Sequence, residues 1–321
     1  MVDKIDKDFV NILNKNKYIK NIYNNPLFYT IFINYVNDLD KTLNENKSKR
    51  GRKIKYNDNL YFLECFMYIL DTGIALNKTL FKCSYSTLYR KLILWGKHNV
   101  FKNVYIMLLN YYIKNKYINY KELHNLLIDA THIKNINGQD FKGANHYDRF
   151  FNGSKLSIIT TQTKIPIGLA YAGSNKHDVS LVVETINNSF IKLKNCKIAG
   201  DKGYNSVDIK NKLKNNYNIN LISIPKNKRR TKLQIINKEK KIIKEYKFKK
   251  LEKKLINKRY KIENFFATLK LSKKIRFRYD KKIINYIQFC YLGFSKYLSN
   301  IYKIKNLTIN AKEYNKLKKE L

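Results

Sequence analysis

Leu126-Leu127-Ile128-Asp129-Ala130 and Cys196-Lys197-Ile198-Ala199-Gly200-Asp201 are two short apolar runs that each reach an acid, and their reading decides the fold. Both are too short for an amphipathic helix and carry the β-branched residues that favour strands. Between them Leu156 to Thr161 is again β-rich, Ile165-Pro166-Ile167-Gly168 is turn-like, and Leu169-Ala170-Tyr171-Ala172 extends once more. Asp178 and Glu184 open a helical pattern through Val182, Val183 and Ile186, and Asn205 to Lys214 is helical in spacing. Leu221-Ile222-Ser223-Ile224-Pro225 supplies a fifth strand. Three strands, helix, strand, helix, strand, then helices predict a mixed five-stranded sheet with helices packed on it.

That order is the α/β outline of an RNase H-like core, expected over residues 116–302. Outside the sheet the spacing is helical. Leu60, Leu63, Met67 and Leu70 recur with Phe62, Phe66 and Ile69, behind Asp58 as N-cap and ahead of Gly73 as stop signal. Leu76, Leu80 and Phe81 form a short apolar group before Ser84-Tyr85-Ser86, and Leu88, Leu92 and Trp95 resume the period with Arg90 and Lys91 on another face. The expectation is an all-α region at 1–115 holding a helix-turn-helix-like segment at about 52–98, whose last helix would bring Arg90 and Lys91 to DNA. The same spacing fits an ordinary helical bundle with a basic surface. Helical spacing returns from Leu255 to Leu271 and from Ile283 to Tyr302, after a Lys- and Arg-rich segment at 226–254 and before a basic tail at 303–321. That segment reads either as a solvated linker or as a track for a phosphate backbone.

The 321 residues contain 65 Lys and Arg against 24 Asp and Glu, a formal net charge of +41, which points to a polyanionic partner, double-stranded DNA first. Part of the Lys excess is compositional, because the chain is crowded with Lys, Asn, Ile and Tyr, as AT-rich codons would make it. A hydrophobic share of 44% is enough for a sizeable core. Cys65, Cys83, Cys196 and Cys290 lie too far apart for a paired zinc motif or a dense disulfide framework, and read as reduced packing residues. No apolar stretch approaches a membrane span, so the expectation is an intracellular protein associated with DNA, in the nucleoid or at a viral replication site, with no membrane role.

Acids at strand ends project from a rigid sheet toward the edge where open α/β sheets bind ligands, so Asp129 and Asp201 are candidate metal-binding carboxylates. In the C-terminal segment Arg259, Glu263, Phe266 and Lys270 fall on one face of a continuous helix, giving cation, carboxylate and cation. Hard divalent ions take carboxylate oxygens, and a pair of them suits in-line displacement at phosphorus. The plainer alternatives are a surface ion pair of Arg259 with Glu263 and acids placed by chance. His132 is close to Asp129 yet reads more simply as a packing residue; Asp178 is equally a helix N-cap; Asp140 and Asp148 would replace Asp129 only under another strand assignment. Tyr204 stacks on a nucleotide or packs in the core.

The segment Arg259-x₃-Glu263-x₆-Lys270 resembles part of a signature of DDE transposases of the IS4/IS5 type, which bacterial insertion sequences encode. Asp201-Lys202-Gly203-Tyr204 resembles their second-acid motif, Leu127-Ile128-Asp129-Ala130-Thr131 their first-acid strand, and Asn175-Lys176-His177-Asp178 a further recurring element. Gly51-Arg52-Lys53-Ile54-Lys55-Tyr56 and Tyr85-Ser86-Thr87-Leu88-Tyr89-Arg90 resemble their N-terminal DNA-binding segment. The family signature often has Tyr three residues before the Arg, where this chain has Ile256. The 62 residues from Asp201 to Glu263 (263 − 201) favour the compact IS5-like form. The resemblance implies a DNA transposase that cleaves element ends and joins the 3′-hydroxyl to target DNA. It implies Asp129, Asp201 and Glu263 as catalytic, metal-binding acids for two Mg²⁺ ions, with Mn²⁺ able to substitute. It further implies Arg259, Lys270, Tyr204 and Lys202 near the DNA, and a homodimer holding two ends. A non-transposing nuclease on the same core, and a domesticated sequence-specific DNA-binding protein without catalysis, are the alternatives.

Overall fold

The computed structural model describes residues 26–45, 58–78, 81–145, 151–224, 250–302 and 309–321. The Gly51–Tyr56 element, Asp148 and nearly all of the basic segment 226–254 lie outside the described residues. Two compact units emerge, divided differently from the expected 1–115 and 116–302: one joins the chain up to Ile118 with Ile133–Lys142 and Thr268–Leu321, the other is Asn119–His132 with Gly143–Ala267.

The first unit is helical. It contains α1 (Pro26–Glu45), α2 (Asn59–Thr72), α3 (Tyr85–Lys97) and α4 (Val100–Lys114), to which residues from Thr268 onward return. Asp58 caps α2 by accepting from the backbone N–H groups of Leu60 and Tyr61. Gly73 ends it at φ +67°, a conformation costly for other residues, and a Cβ there would come within 2.8 Å of Lys273 Cβ. Ser84 caps α3 through Thr87 N–H. The core of this unit gathers around Trp95, which is edge-on to Phe32, Phe66 and Phe101 at ring-centroid distances of 5.2, 5.5 and 5.6 Å. Each such pair adds roughly 0.5–1.5 kcal/mol beyond plain area burial.

The second unit carries the mixed sheet. Its strands are β1 (Asn125–Asn135, whose last residues belong to the first unit), β2 (Gly143–Asn145), β3 (Phe151–Thr161), β4 (Pro166–Gly173), β5 (Lys197–Ala199) and β6 (Asn220–Ile222). The order is β2-β3-β1-β5-β6, with β4 also on β3. β3 and β4 are antiparallel, whereas β1, β5 and β6 run parallel. Parallel neighbours need crossovers, and α5 (Val182–Asn187) and α6 (Val207–Tyr217) lie in those connections. This is the mixed α/β arrangement expected of the RNase H-like core.

Three local readings are corrected. β1 does not stop at the acid: it continues to Asn135, so Asp129 lies in mid-strand. The turn after β3 is Thr161–Lys164, closed by Lys164 N–H on Thr161 C=O with Lys164 at φ +71°, and Pro166 opens β4. The proposed 255–271 helix is interrupted. α7 (Lys250–Asn257) ends before Lys258 and Arg259, and α8 (Tyr260–Leu269) begins after them, so Arg259 and Lys270 flank the second helix. Beyond α8 come α9 (Lys273–Arg276), β7 (Phe277–Arg278), α10 (Ile283–Ile301) and α11 (Ala311–Lys318). In the first unit α10 packs on α4 and α2, and β7 pairs in parallel with Lys134 and Asn135 of β1.

Candidate active site

The parallel register of β1 and β5 brings the first two acids together. Asn125 pairs with Lys197, Leu126 with Ile198 and Leu127 with Ala199, an offset of 72 (197 − 125), and 201 − 129 gives the same 72. Asp129 and Asp201 are therefore register equivalents, two residues beyond the last paired rung, on strands that lie roughly 4.8 Å apart where paired. The chain leaves the sheet after Ala199, and Asp201 caps the 3-10 turn Lys202–Tyr204 by accepting from Gly203 N–H at 2.7 Å. Asp129 accepts from Ala130 N–H at 2.9 Å.

The sequence Gly200-Asp201-Lys202-Gly203-Tyr204 follows from this turn. A Cβ on Gly200 would stand 2.7 Å from the Tyr204 ring, and one on Gly203 would stand 2.9 Å from Asp201 Oδ1. Tyr204 is wholly buried, so its ring lies in the core and offers no face on which a base could stack. Lys202, between them, is exposed.

Burial pushes the Asp129 carboxyl up to about 6 from its ordinary 3.8. Ala130 N–H and the Arg259 guanidinium pull it down, and the charges of Asp201 and Asp178 push it further up. Arg259 also pairs with Glu263, Nη2 to Oε1 at 3.0 Å, and so stands between the third acid and the first. Glu263 is exposed, whereas Phe266 is buried, so α8 does not present the uniform polar face that spacing predicts. Lys270 falls in the first unit, where burial and then Arg276 lower its pKa.

Sequence reasoning missed a half-buried ion pair beside these acids. Lys155 of β3 reaches Asp178 Oδ1 at 2.6 Å and Lys176 C=O at 2.5 Å. Asp178 is the first residue of the 3-10 turn Asp178–Leu181, and His177 holds the cap position without a side-chain bond. The N-cap reading of Asp178 is thus corrected: its carboxylate faces Lys155 and acts on Asp129. The available signal was a Lys immediately before the β-rich run that starts at Leu156. His132 Nδ1 lies 3.0 Å from Ser174 Oγ. Asp140 is not an alternative acid, because in the first unit it binds the buried Arg278 and accepts from Ile283 N–H at 2.9 and 3.0 Å.

Lys91 is also corrected as a DNA contact. Its ammonium lies over the Phe62 and Trp95 rings at 5.4 and 5.2 Å, is 3.9 Å from Asp40, and its side chain is only 12% exposed. Arg90 is exposed on α3, with the stacked pair Tyr85 and Tyr89 on the same helix. All four cysteines are free and buried, as expected.

The transposase DDE domain family is matched over residues 123–294, more than half of the chain. The chain belongs to that family. The match opens just before β1 and spans Asp129, Asp201, Arg259 and Glu263. Among solved structures, the piggyBac transposase synaptic complex with hairpin DNA is similar at 10% identity and a TM-score of 0.44, over 87% of this chain and 74% of that one. No curated protein matches.

Carboxylate oxygens are the right donors for a hard divalent cation, and burial first, then the charge of Asp201, opposes ionisation of Asp129. Among the described residues, no three His, Cys, Asp or Glu side chains already converge as a metal cage. Arg259 supplies the positive charge there, holding Glu263 by its guanidinium. The donor chemistry of Asp129 and Asp201 fits a hard divalent cation, while Glu263 is engaged by Arg259. No helix among the described residues is long and apolar enough to cross a membrane.

Proposed function

We propose that the protein cleaves DNA at the ends of a mobile element and joins the freed 3′-hydroxyl to target DNA, with Asp129, Asp201 and Glu263 as its catalytic acids. The position of Asp129 on β1 and of Asp201 just past the end of its parallel neighbour β5, in register and inside a DDE domain, carries this reading. These acids would hold two Mg²⁺ ions, with Mn²⁺ able to substitute. Bound there, the metal would supply activation of the attacking hydroxyl and charge stabilisation at the leaving oxygen.

The residues of the chain do the rest. Asp129 is fixed on a sheet strand and Asp201 on a capped turn, so both carboxylates start from rigid supports. A DNA phosphate offers the Arg259 fork a bidentate partner at least as good as Glu263, and moving to it frees the Glu263 carboxylate for the site. Phosphate binding and assembly of the third acid are then one event. Lys202, exposed on the turn that carries Asp201, meets the backbone beside the cut, and Arg90 on α3 binds duplex DNA in the element end. Two ends are held by a homodimer.

The test is strand transfer with labelled element ends in Mg²⁺, comparing the parent with Asp201→Ala. Cleavage and joining should fall at least ~10³-fold in the variant, the scale seen when a central electrostatic group of an active site is removed. A variant that still cuts and joins overturns the assignment.

A further inference from the structure

Tyr204 combines two features that packing alone does not reconcile. Its side chain is fully buried against Gly200, where a Phe ring would fit equally well. Its hydroxyl nevertheless lies buried with no hydrogen-bond partner. An unpaired buried hydroxyl costs roughly 1–3 kcal/mol, so here the oxygen lowers the stability of the fold.

What surrounds the hydroxyl gives it a use. The charges of Asp129, Asp178 and Asp201 all act on it, opposed by Arg259. Each of those carboxylates has one oxygen already engaged: Asp129 Oδ1 by Ala130 N–H, Asp178 Oδ1 by Lys155 and Asp201 Oδ1 by Gly203 N–H. Arg259 Nε is a second buried donor without a partner at the same cluster. Two idle donors beside carboxylates with spare oxygens describe a hydrogen-bond network that is completed only when the acids turn.

We propose that the Tyr204 hydroxyl is a positioning group for the acids, donating to a carboxylate oxygen of Asp129 or Asp201 when those side chains take up a divalent cation. The proposal rests on the metal reading above and adds a residue whose ring neither coordinates nor touches DNA. Hydrogen-bond partners of ligating carboxylates fix their orientation, and losing one typically costs 10–100-fold in metal affinity.

Tyr204→Phe in the full chain isolates the oxygen. Mn²⁺ binding, followed by the loss of the free-ion EPR signal, should weaken about 10-fold in Y204F. The kcat of strand transfer should fall with KM for DNA unchanged, and metal-free Y204F should melt at or above the parent temperature. Equal Mn²⁺ affinity in the two proteins overturns this proposal alone. A lower metal-free melting temperature in Y204F also overturns it, because the hydroxyl would then already have a partner. A parent that binds no Mn²⁺ overturns the metal reading, and this one with it.

Discussion

Asp129→Asn should make the metal-free protein more stable while abolishing its activity. Asn keeps the size of the side chain and an oxygen to accept from Ala130 N–H, and removes the charge that burial opposes. The folded carboxyl titrates near 6 against 3.8 for a free Asp, a gap of about two units. At 1.36 kcal/mol per unit the ionised group costs the fold up to about 3 kcal/mol with the attraction of Arg259 already included, so removing the charge should gain roughly 1–3 kcal/mol. The sign follows from the raised folded value. The penalty is complete above about pH 6, fades as the folded group takes up its proton, and is gone below 3.8, where both states are neutral. Thermal melts of parent and variant in chelator should therefore differ by several degrees at pH 7.5 and converge near pH 4. The difference between the two curves isolates Asp129 from every other titrating group. Adding Mn²⁺ should reverse the order, raising the parent alone. A variant that melts at or below the parent at pH 7.5, or a gap that persists unchanged at pH 4, refutes the account of Asp129 as a desolvated, cation-seeking carboxyl.

Arg90→Ala should weaken binding to element-end DNA and reduce the slope of log affinity against log salt by about 1, whereas Lys91→Met should leave the slope unchanged, as titrations at several salt concentrations will show. Gly200→Ala forces a methyl to within 2.7 Å of the Tyr204 ring and should cost roughly 1–3 kcal/mol in denaturant unfolding.

The sheet was legible because strand runs of alternating or wholly apolar residues have few other solutions. The alignment of Asp129 with Asp201 was legible for a narrower reason: each comes after an apolar β-like stretch, and parallel pairing of those stretches aligns the two positions. Strand ends were less so. Thr131 and His132 continue β1 because neighbours support them, which no local pattern announces. The break at Lys258 and Arg259 was hidden since the apolar spacing of Leu255, Ile262 and Leu269 survives a two-residue turn. Lys91 misled for a similar reason: a long side chain on a basic-looking face can fold its stem and ammonium over aromatic rings supplied by distant segments. The Lys155–Asp178 pair depends on β3 meeting a turn more than twenty residues later, a tertiary fact.

Trp95 is the only tryptophan of the chain, and it lies at the centre of the helical unit, ringed by phenylalanines. Selective excitation of its indole therefore offers an intrinsic fluorescent reporter for that unit, silent about the acid-bearing sheet except through coupling. If denaturation followed by indole emission and by backbone circular dichroism yields two separate midpoints, the earlier one can be assigned to its unit without any label being attached.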